Sequence, residues 1–138
     1  MVYGNILVVN NSETYFESIA NAFSKINTQA KLCYAKNDTE AWLMLQGHDK
    51  LSPSPKIMLI DINADGIHGI DLITKIRSNL KLRSMLIFVI TSVNNSENKH
   101  AALNLNIAGY MNKPFEKVDM FSFFSVLNDY WNCIEFSS

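Results

Sequence analysis

Four consecutive apolar residues, Ile57 to Ile60, run directly into Asp61. An uninterrupted apolar run of this length is typical of a strand that is buried on both faces, as in parallel sheets. A carboxylate at the end of such a strand lies at the edge of the sheet where α/β proteins place their functional residues. The loop that follows holds Asn63, Asp65 and Gly69. We therefore take Asp61 as the candidate centre of a functional site.

Four other segments share this strand pattern, and segments with helical spacing alternate with them. The strands are predicted at 6–9, 31–35, 57–60, 85–90 and 109–111, and the helices at about 13–26, 38–46, 70–79, 94–105 and 120–134. The segment 31–35 is the least apolar of the longer strands, which favours a position near an edge. Five strands alternating with five helices predict an α/β fold. Its doubly wound, five-stranded parallel sheet would carry helices on both faces, joined by right-handed crossovers.

Size and composition limit the function classes that are open to the chain. Its 138 residues and 48% hydrophobic content predict one folded domain over 1–138, with no separate effector domain. The net charge of −1 implies no general attraction to nucleic acids or to anionic membranes. No apolar run approaches the ~18 residues of a membrane-spanning helix.

Two further groups of residues are interpreted as structural rather than functional. The last helix carries an apolar stripe, which we assign to core packing: Met120, Phe123, Phe124, Leu127, Tyr130, Trp131 and Ile134. Cys33 and Cys133 have neither a CxxC pattern nor the spacing of metal ligands. We predict that they are buried, reduced thiols of a cytoplasmic protein.

Polar residues follow four of the predicted strands at the point where each strand ends. They are Asn10 and Asn11, Asp61, Thr91 and Lys113. Each of them alone has a simple interpretation, as a capping, turn or solvated surface residue. If the strands are parallel, however, their carboxyl ends meet at one edge of the sheet. Their joint placement therefore predicts a site.

These residues give the chain a resemblance to the receiver domain of two-component response regulators, a flavodoxin-like fold. The strand-end Asp61 and Thr91, and the Lys113-Pro-Phe run after Gly-Tyr, match that family's motifs. Gly69 stands at the family's distance after the aspartate, and Tyr110 matches its switch aromatic residue. The resemblance covers nearly the whole chain. The segment after the phosphoacceptor helix and the aromatic last helix are similar to those of small regulators that partner bacterial phytochrome-type kinases.

The resemblance implies a role for each residue that matches the family motifs. Asp61 would be the phosphoacceptor, a nucleophilic carboxylate that also binds Mg²⁺. Lys113 would supply positive charge to the transferred phosphoryl group, and its peptide bond to Pro114 would be cis. Thr91 would move to hydrogen-bond the phosphoryl group, and Tyr110 would follow it inward.

The metal site is where the chain departs from the family. The family has an acidic pair at the positions of Asn10 and Asn11, whereas Mg²⁺ prefers anionic oxygen ligands. At an effective dielectric near 20, a pair of unit charges at 4 Å interacts by roughly 4 kcal/mol, so losing both carboxylates should weaken the metal strongly. Asn63 would offer its backbone carbonyl, and the amide oxygens of Asn10 and Asn11 would be weak, uncharged ligands. Asp65 and the more distant Glu13 are candidate substitutes for a lost carboxylate. We therefore expect a weakly bound Mg²⁺.

The first functional hypothesis is a working receiver in a phosphorelay. It would accept a phosphoryl group on Asp61 from a sensor histidine kinase or phosphotransfer protein, and it would signal to a downstream protein through Thr91 and Tyr110. It would not be a conventional enzyme, because it would catalyse only its own phosphorylation and dephosphorylation. Tyr110, Phe115 and the aromatic residues of the last helix also favour an exposed apolar surface for a partner or a homodimer.

Two alternatives belong to other classes. A pseudo-receiver would act as a phosphorylation-independent protein-interaction module, and Asn10, Asn11 and Asp65 favour it. A phosphatase of the haloacid-dehalogenase type also begins with an aspartate at a strand end. That class requires a second aspartate two residues further on, where this chain has Asn63.

Overall fold

The computed structural model describes residues 4–26, 30–48, 50–62, 66–91, 96–112 and 117–133. Within these ranges five strands alternate with five helices, as predicted. In chain order they are β1 Asn5–Val9, α1 Glu13–Phe23, β2 Lys31–Ala35, α2 Asp38–Gln46, β3 Ile57–Ile60, α3 Gly69–Arg77, β4 Leu86–Thr91, α4 Ser96–Leu103, β5 Gly109–Asn112 and α5 Lys117–Cys133. No helix in the described part of the chain is long and apolar enough to cross a membrane.

The strands form one parallel sheet in the order β2-β1-β3-β4-β5. Every residue of β1 and β3 is buried, which is why these segments read as uninterrupted apolar runs. β2 lies at an edge and begins with the exposed Lys31, so its predicted edge position is confirmed. The doubly wound α/β fold predicted from the sequence is therefore confirmed.

Alternate residues of each strand pack into separate layers on the two faces of the sheet. Leu7, Val9, Met58 and Ile60 point into the layer that contains residues of α2, α3 and α4. The intervening residues of β1 and β3 point into the other layer, which contains residues of α1 and α5. The carboxyl ends of the strands therefore emerge between two apolar layers.

Polar side chains fix where two of these helices begin. Ser12 Oγ accepts a hydrogen bond of 3.1 Å from the backbone N–H of Tyr15 at the start of α1. Asn37 Oδ1 accepts one of 2.7 Å from the N–H of Glu40 at the start of α2. Ser and Asn are among the residues preferred at this capping position.

The predicted end of α1 and the predicted stripe of α5 are wrong in part. α1 ends at Phe23 rather than near Ile26, because the N–H of Ile26 bonds to the carbonyl of Phe23 and tightens the chain into a turn. On α5, Met120, Phe124 and Leu127 are buried, but Tyr130 is 46% exposed. Phe123 is partly buried and packs against the same layer, so the described part of the stripe leaves the core only toward the end of the helix. The side chain of Trp131 and the whole of Ile134 lie outside the described residues.

The predicted burial of the cysteines is also wrong. Both are free thiols, but Cys33 is only partly buried and Cys133 is exposed. Cys33 lies on the edge strand β2, and Cys133 is the last residue of α5. Neither position is covered on all sides by the described part of the chain.

Arg77, at the end of α3, makes a set of hydrogen bonds that the sequence analysis did not predict. Its guanidinium donates to the backbone carbonyls of Arg83, Met85, Leu105 and Asn106 at 2.8–2.9 Å. Burial lowers the pKa of this guanidinium from its ordinary value. Two of the four carbonyls lie just before β4 and two lie shortly before β5. Arg77 therefore links the amino ends of these two strands, at the end of the sheet opposite Asp61.

Candidate functional site

β1 and β3 place Asn10 and Asp61 side by side. Val9 is the register partner of Ile60, so the residues that follow them leave the sheet together. The N–H of Asp61 donates to the Val9 carbonyl at 3.0 Å. Asn10 is 2% exposed and Asp61 is 5% exposed. A carboxylate and an amide are therefore buried next to each other at the end of the two central strands.

The Asn10 side chain has a structural task at this position. Its Oδ1 accepts a hydrogen bond of 3.0 Å from the N–H of Ser12, the residue that caps α1. This Asx turn joins the end of β1 to the first turn of α1. Asn11, by contrast, is exposed. One of the two candidate amide ligands therefore already uses its oxygen to organise the backbone.

β4 brings Thr91 to the same end of the sheet, where the carboxyl ends of the strands lie. Ile60 pairs with Val89, and Thr91 at the end of β4 pairs with Asn112 at the end of β5. Thr91 therefore lies one step further along its strand than the level of Asp61. Its strand position agrees with the predicted convergence of strand ends, and its role stays a prediction.

Tyr110 lies on β5 and packs against the layer that contains α2, α3 and α4. Its hydroxyl oxygen is buried, and within the described ranges it makes no hydrogen bond. The Lys99 ammonium lies 5.5 Å from the centre of its ring. Burial, and after it the negative charge of Asp61, raise the pKa of the Tyr110 phenol. The phenol and the Asp61 carboxylate are therefore close enough to interact electrostatically.

Tyr15 is a residue of this site that the sequence analysis missed. It lies in the first turn of α1 and lines a cavity of about 10 Å³ together with Asn10 and Asp61. Burial, followed by the charge of Asp61, raises the pKa of Tyr15 to about 12. In the sequence, the position of Tyr15 is indicated only by its lying three residues after Ser12, the helix cap that follows β1. That signal becomes informative only once β1 and β3 are known to be neighbours.

Gly69, the first residue of α3, allows the loop after Asp61 to close tightly. A Cβ atom at this position would lie 2.6 Å from Ile62 Cα and 2.5 Å from Ile62 Cγ2. Such distances are far inside van der Waals contact, so only glycine fits without movement. The close approach gives a physical reason for a glycine at this distance after the aspartate.

Several predicted site residues lie outside the described residues: Asn63, Asp65, Lys113 and Pro114. Their predicted roles, including the cis peptide bond, therefore stay predictions. Glu13, the distant substitute ligand, is exposed at the start of α1. Its negative charge helps to raise the pKa of Tyr34 on β2, after the larger effect of burial.

The described residues offer a divalent cation hard oxygen ligands but little charge. Asp61 supplies one buried carboxylate, and the amides of Asn10 and Asn11 are neutral. Within the described ranges, no three His, Cys, Asp or Glu side chains are grouped closely enough to hold a metal ion. These oxygen atoms are of the kind that Mg²⁺ takes as ligands, and the predicted weakness of the site stays a prediction.

Comparison with known proteins agrees with this geometry. The family model of the response regulator receiver domain matches residues 6–124. Chemotaxis protein CheY1 of Helicobacter pylori is 29% identical over 110 residues, which are 80% of this chain and 85% of CheY1. Response regulator Rcp1 of Synechocystis is 26% identical over 91 residues, which are 66% of this chain and 62% of Rcp1.

Solved structures show the same fold. A two-component response regulator from Legionella pneumophila is 30% identical, with a TM-score of 0.78 over 91% of this chain and 98% of that chain. The phosphorylated cyanobacterial phytochrome response regulator RcpA is 17% identical, with a TM-score of 0.85 over 99% of this chain and 100% of that chain. Mn²⁺-bound Rcp1 has a TM-score of 0.82 at 21% identity, over 97% of this chain and 99% of that chain. The chain therefore belongs to the receiver-domain family of two-component response regulators.

Proposed function

We propose that this receiver domain accepts a phosphoryl group on Asp61 from the phosphohistidine of a sensor kinase or a phosphotransfer protein. The observation that carries the proposal is a buried carboxylate at the end of the central strand β3, in a chain of the receiver family. A carboxylate oxygen attacks phosphorus, and the P–O bond forms as the P–N bond breaks. The bonding electron pair stays on the imidazole nitrogen. Water later hydrolyses the acyl phosphate to the carboxylate and inorganic phosphate.

Stabilisation of the transferred phosphoryl group requires positive charge, because both reacting groups are anionic. We assign this role to Lys113, together with a weakly held Mg²⁺ bound by Asp61 and the backbone carbonyl of Asn63. Asp65 is the candidate for an additional carboxylate ligand. That Rcp1 has been solved with Mn²⁺ bound supports a divalent metal in this kind of site.

The signal would leave the site through β4 and β5. Thr91 would hydrogen-bond the phosphoryl group, and the buried Tyr110 hydroxyl would adjust with it. This rearrangement would alter the surface around α4 and α5 and thereby the affinity for a downstream protein. Homodimerisation through the aromatic side chains of α5 stays a prediction, which the concentration dependence of sedimentation velocity would test.

The pseudo-receiver is the less favoured function. The Asn10 amide supports it, because it removes charge from the metal site. Asp61 nevertheless remains buried at the strand end, and this carboxylate is the one group that phosphorylation requires. The match to the receiver family leaves the haloacid-dehalogenase phosphatase without support.

The decisive experiment is incubation with a small phosphodonor, such as acetyl phosphate, with and without Mg²⁺, followed by intact mass spectrometry. We expect a single phosphate adduct on the wild-type protein and none on Asp61→Asn. Asp71→Asn is the matched control, because Asp71 is an exposed aspartate in the first turn of α3. An adduct that persists in Asp61→Asn, or its absence from the wild type under all conditions, would refute the proposal.

A further inference from the structure

Two phenols approach Asp61 from opposite faces of the sheet. Tyr110 packs in the layer of α2, α3 and α4, whereas Tyr15 packs in the layer of α1 and α5. The negative charge of Asp61 contributes to the raised pKa of both. Tyr110 stands at the switch position of the receiver family. Tyr15 has no role in the function proposed above.

A chain of hydrogen bonds fixes the position of Tyr15 relative to Asp61. Asn10 Oδ1 accepts from the N–H of Ser12 at 3.0 Å, and Ser12 Oγ accepts from the N–H of Tyr15 at 3.1 Å. On the other side of β1, the N–H of Asp61 bonds to the carbonyl of Val9. The backbones of Tyr15 and Asp61 are therefore held to the same end of the same strand.

The side chains of Tyr15 and Asp61 line the same small cavity. It lies beneath the first turns of α1, has a volume of about 10 Å³, and is also lined by Asn10, Ile19 and Ile90. The Tyr15 hydroxyl oxygen is buried even though the residue as a whole is only half-buried. A cavity of this size, about one water-sized sphere, gives the phenol room for a small movement toward the carboxylate.

The Tyr15 phenol keeps its proton at any physiological pH, because the ordinary pKa of a tyrosine, about 10, already lies well above that range. A protonated phenol is a hydrogen-bond donor that carries no charge. It can therefore stabilise an anionic oxygen without a metal ion, at a site where amides stand in place of the family's acidic pair.

We propose that Tyr15 is a positioning residue for the phosphoacceptor, whose hydroxyl moves into the shared cavity and donates to an Asp61 oxygen during phosphoryl transfer. This inference rests on the proposed function of Asp61. Tyr15 supports the acceptor from the side of α1, whereas Mg²⁺, when bound, and Lys113 would supply the positive charge that the phosphoryl group requires. The contribution of Tyr15 is largest when Mg²⁺ is absent, because no cation then shares the task.

The test compares Tyr15→Phe, which removes only the hydroxyl, with Tyr34→Phe. Tyr34 is a matched control, because it is a half-buried phenol whose ring stacks on Phe16 of α1 at 4.6 Å between ring centres. The charges that raise its pKa, after burial, are those of Glu13 and Glu40 rather than Asp61. Acetyl phosphate is the phosphodonor, and intact mass gives the rates of adduct formation and loss, with and without Mg²⁺.

Without Mg²⁺, we expect Tyr15→Phe to change the rate of adduct formation or loss by roughly tenfold, the order that a hydrogen bond to an ionised group contributes. The change shrinks when Mg²⁺ is added, and Tyr34→Phe leaves both rates within twofold. A merely structural role would give a change that is independent of Mg²⁺. Rates in Tyr15→Phe that match the wild type, or a change of the same size with and without Mg²⁺, would overturn the inference.

A second measurement keeps this inference separate from the function of Asp61. In unphosphorylated protein with ¹³Cζ-labelled tyrosine, Asp61→Asn should shift the Tyr15 signal while that of Tyr34 stays in place. If the wild type takes up no phosphate, the proposed function is refuted. The response of the Tyr15 signal to Asp61→Asn then tests by itself whether the phenol interacts with the carboxylate. A Tyr15 signal that does not respond to Asp61→Asn would show that the phenol makes no contact with the carboxylate.

Discussion

Replacing Arg77 by methionine should destabilise the domain by about 3 kcal/mol. Two of its hydrogen bonds, to the carbonyls of Leu105 and Met85, are partly buried, and two, to Arg83 and Asn106, are exposed. Taking about 1 kcal/mol for each partly buried bond and about 0.5 kcal/mol for each exposed one gives this sum. Methionine preserves most of the apolar stem, so the change isolates the guanidinium.

Urea denaturation followed by circular dichroism gives the free energy of unfolding. For a domain of this size, 3 kcal/mol corresponds to a fall in Tm of about 10 °C. Arg83→Met is the control, because Arg83 is an exposed arginine in the same segment. Its variant should stay within about 0.5 kcal/mol of the wild type. Equal stability of Arg77→Met and Arg83→Met would refute the view that the four carbonyls depend on Arg77.

Three further variants test the site. Asn10→Asp combined with Asn11→Asp should raise Mg²⁺ affinity at least about a hundredfold in calorimetric titration, and unchanged affinity would contradict the charge argument. Gly69→Ala should lower stability to urea by about 2 kcal/mol, because its Cβ overlaps Ile62; a more stable variant would mean that only helix propensity matters there. Tyr15 has a folded-state pKa of about 12 against an ordinary 10.0. The protonated Tyr15 phenol therefore contributes fully to the free energy of unfolding below pH 10, and this contribution is lost as pH rises toward 12. Thermal unfolding across that range should fall less steeply in Tyr15→Phe, and identical slopes would contradict the assignment.

The strands were predictable because burial on both faces leaves a clear pattern in the sequence. β3 can hold only apolar residues, and β2 at the edge tolerates Lys31. Helix ends on the surface leave a weaker mark, because one apolar residue such as Ile26 can pack from a turn as well as from a helix. The burial of aromatic residues such as Tyr130 is also hard to predict from sequence, because their side chains occur both in cores and at surfaces.

The two unpredicted features depend on contacts between distant parts of the chain. Arg77 meets the carbonyl of Leu105 28 residues away, and nothing local distinguishes it from a solvated arginine at a helix end. Tyr15 is functionally interesting only because α1 packs its first turn over the end of β3. In both cases the residue is visible in the sequence, but its contact partner becomes apparent only in the folded structure.

Asn10 shows how the site can keep its shape while its charge changes. The hydrogen bond from the N–H of Ser12 requires an acceptor oxygen, and either an amide or a carboxylate provides one. Replacing the family's carboxylate by an amide therefore preserves the turn between β1 and α1, and with it the position of Tyr15. It removes only the negative charge that a metal ion needs. Neighbouring donors that carry no charge then become more important for supporting Asp61.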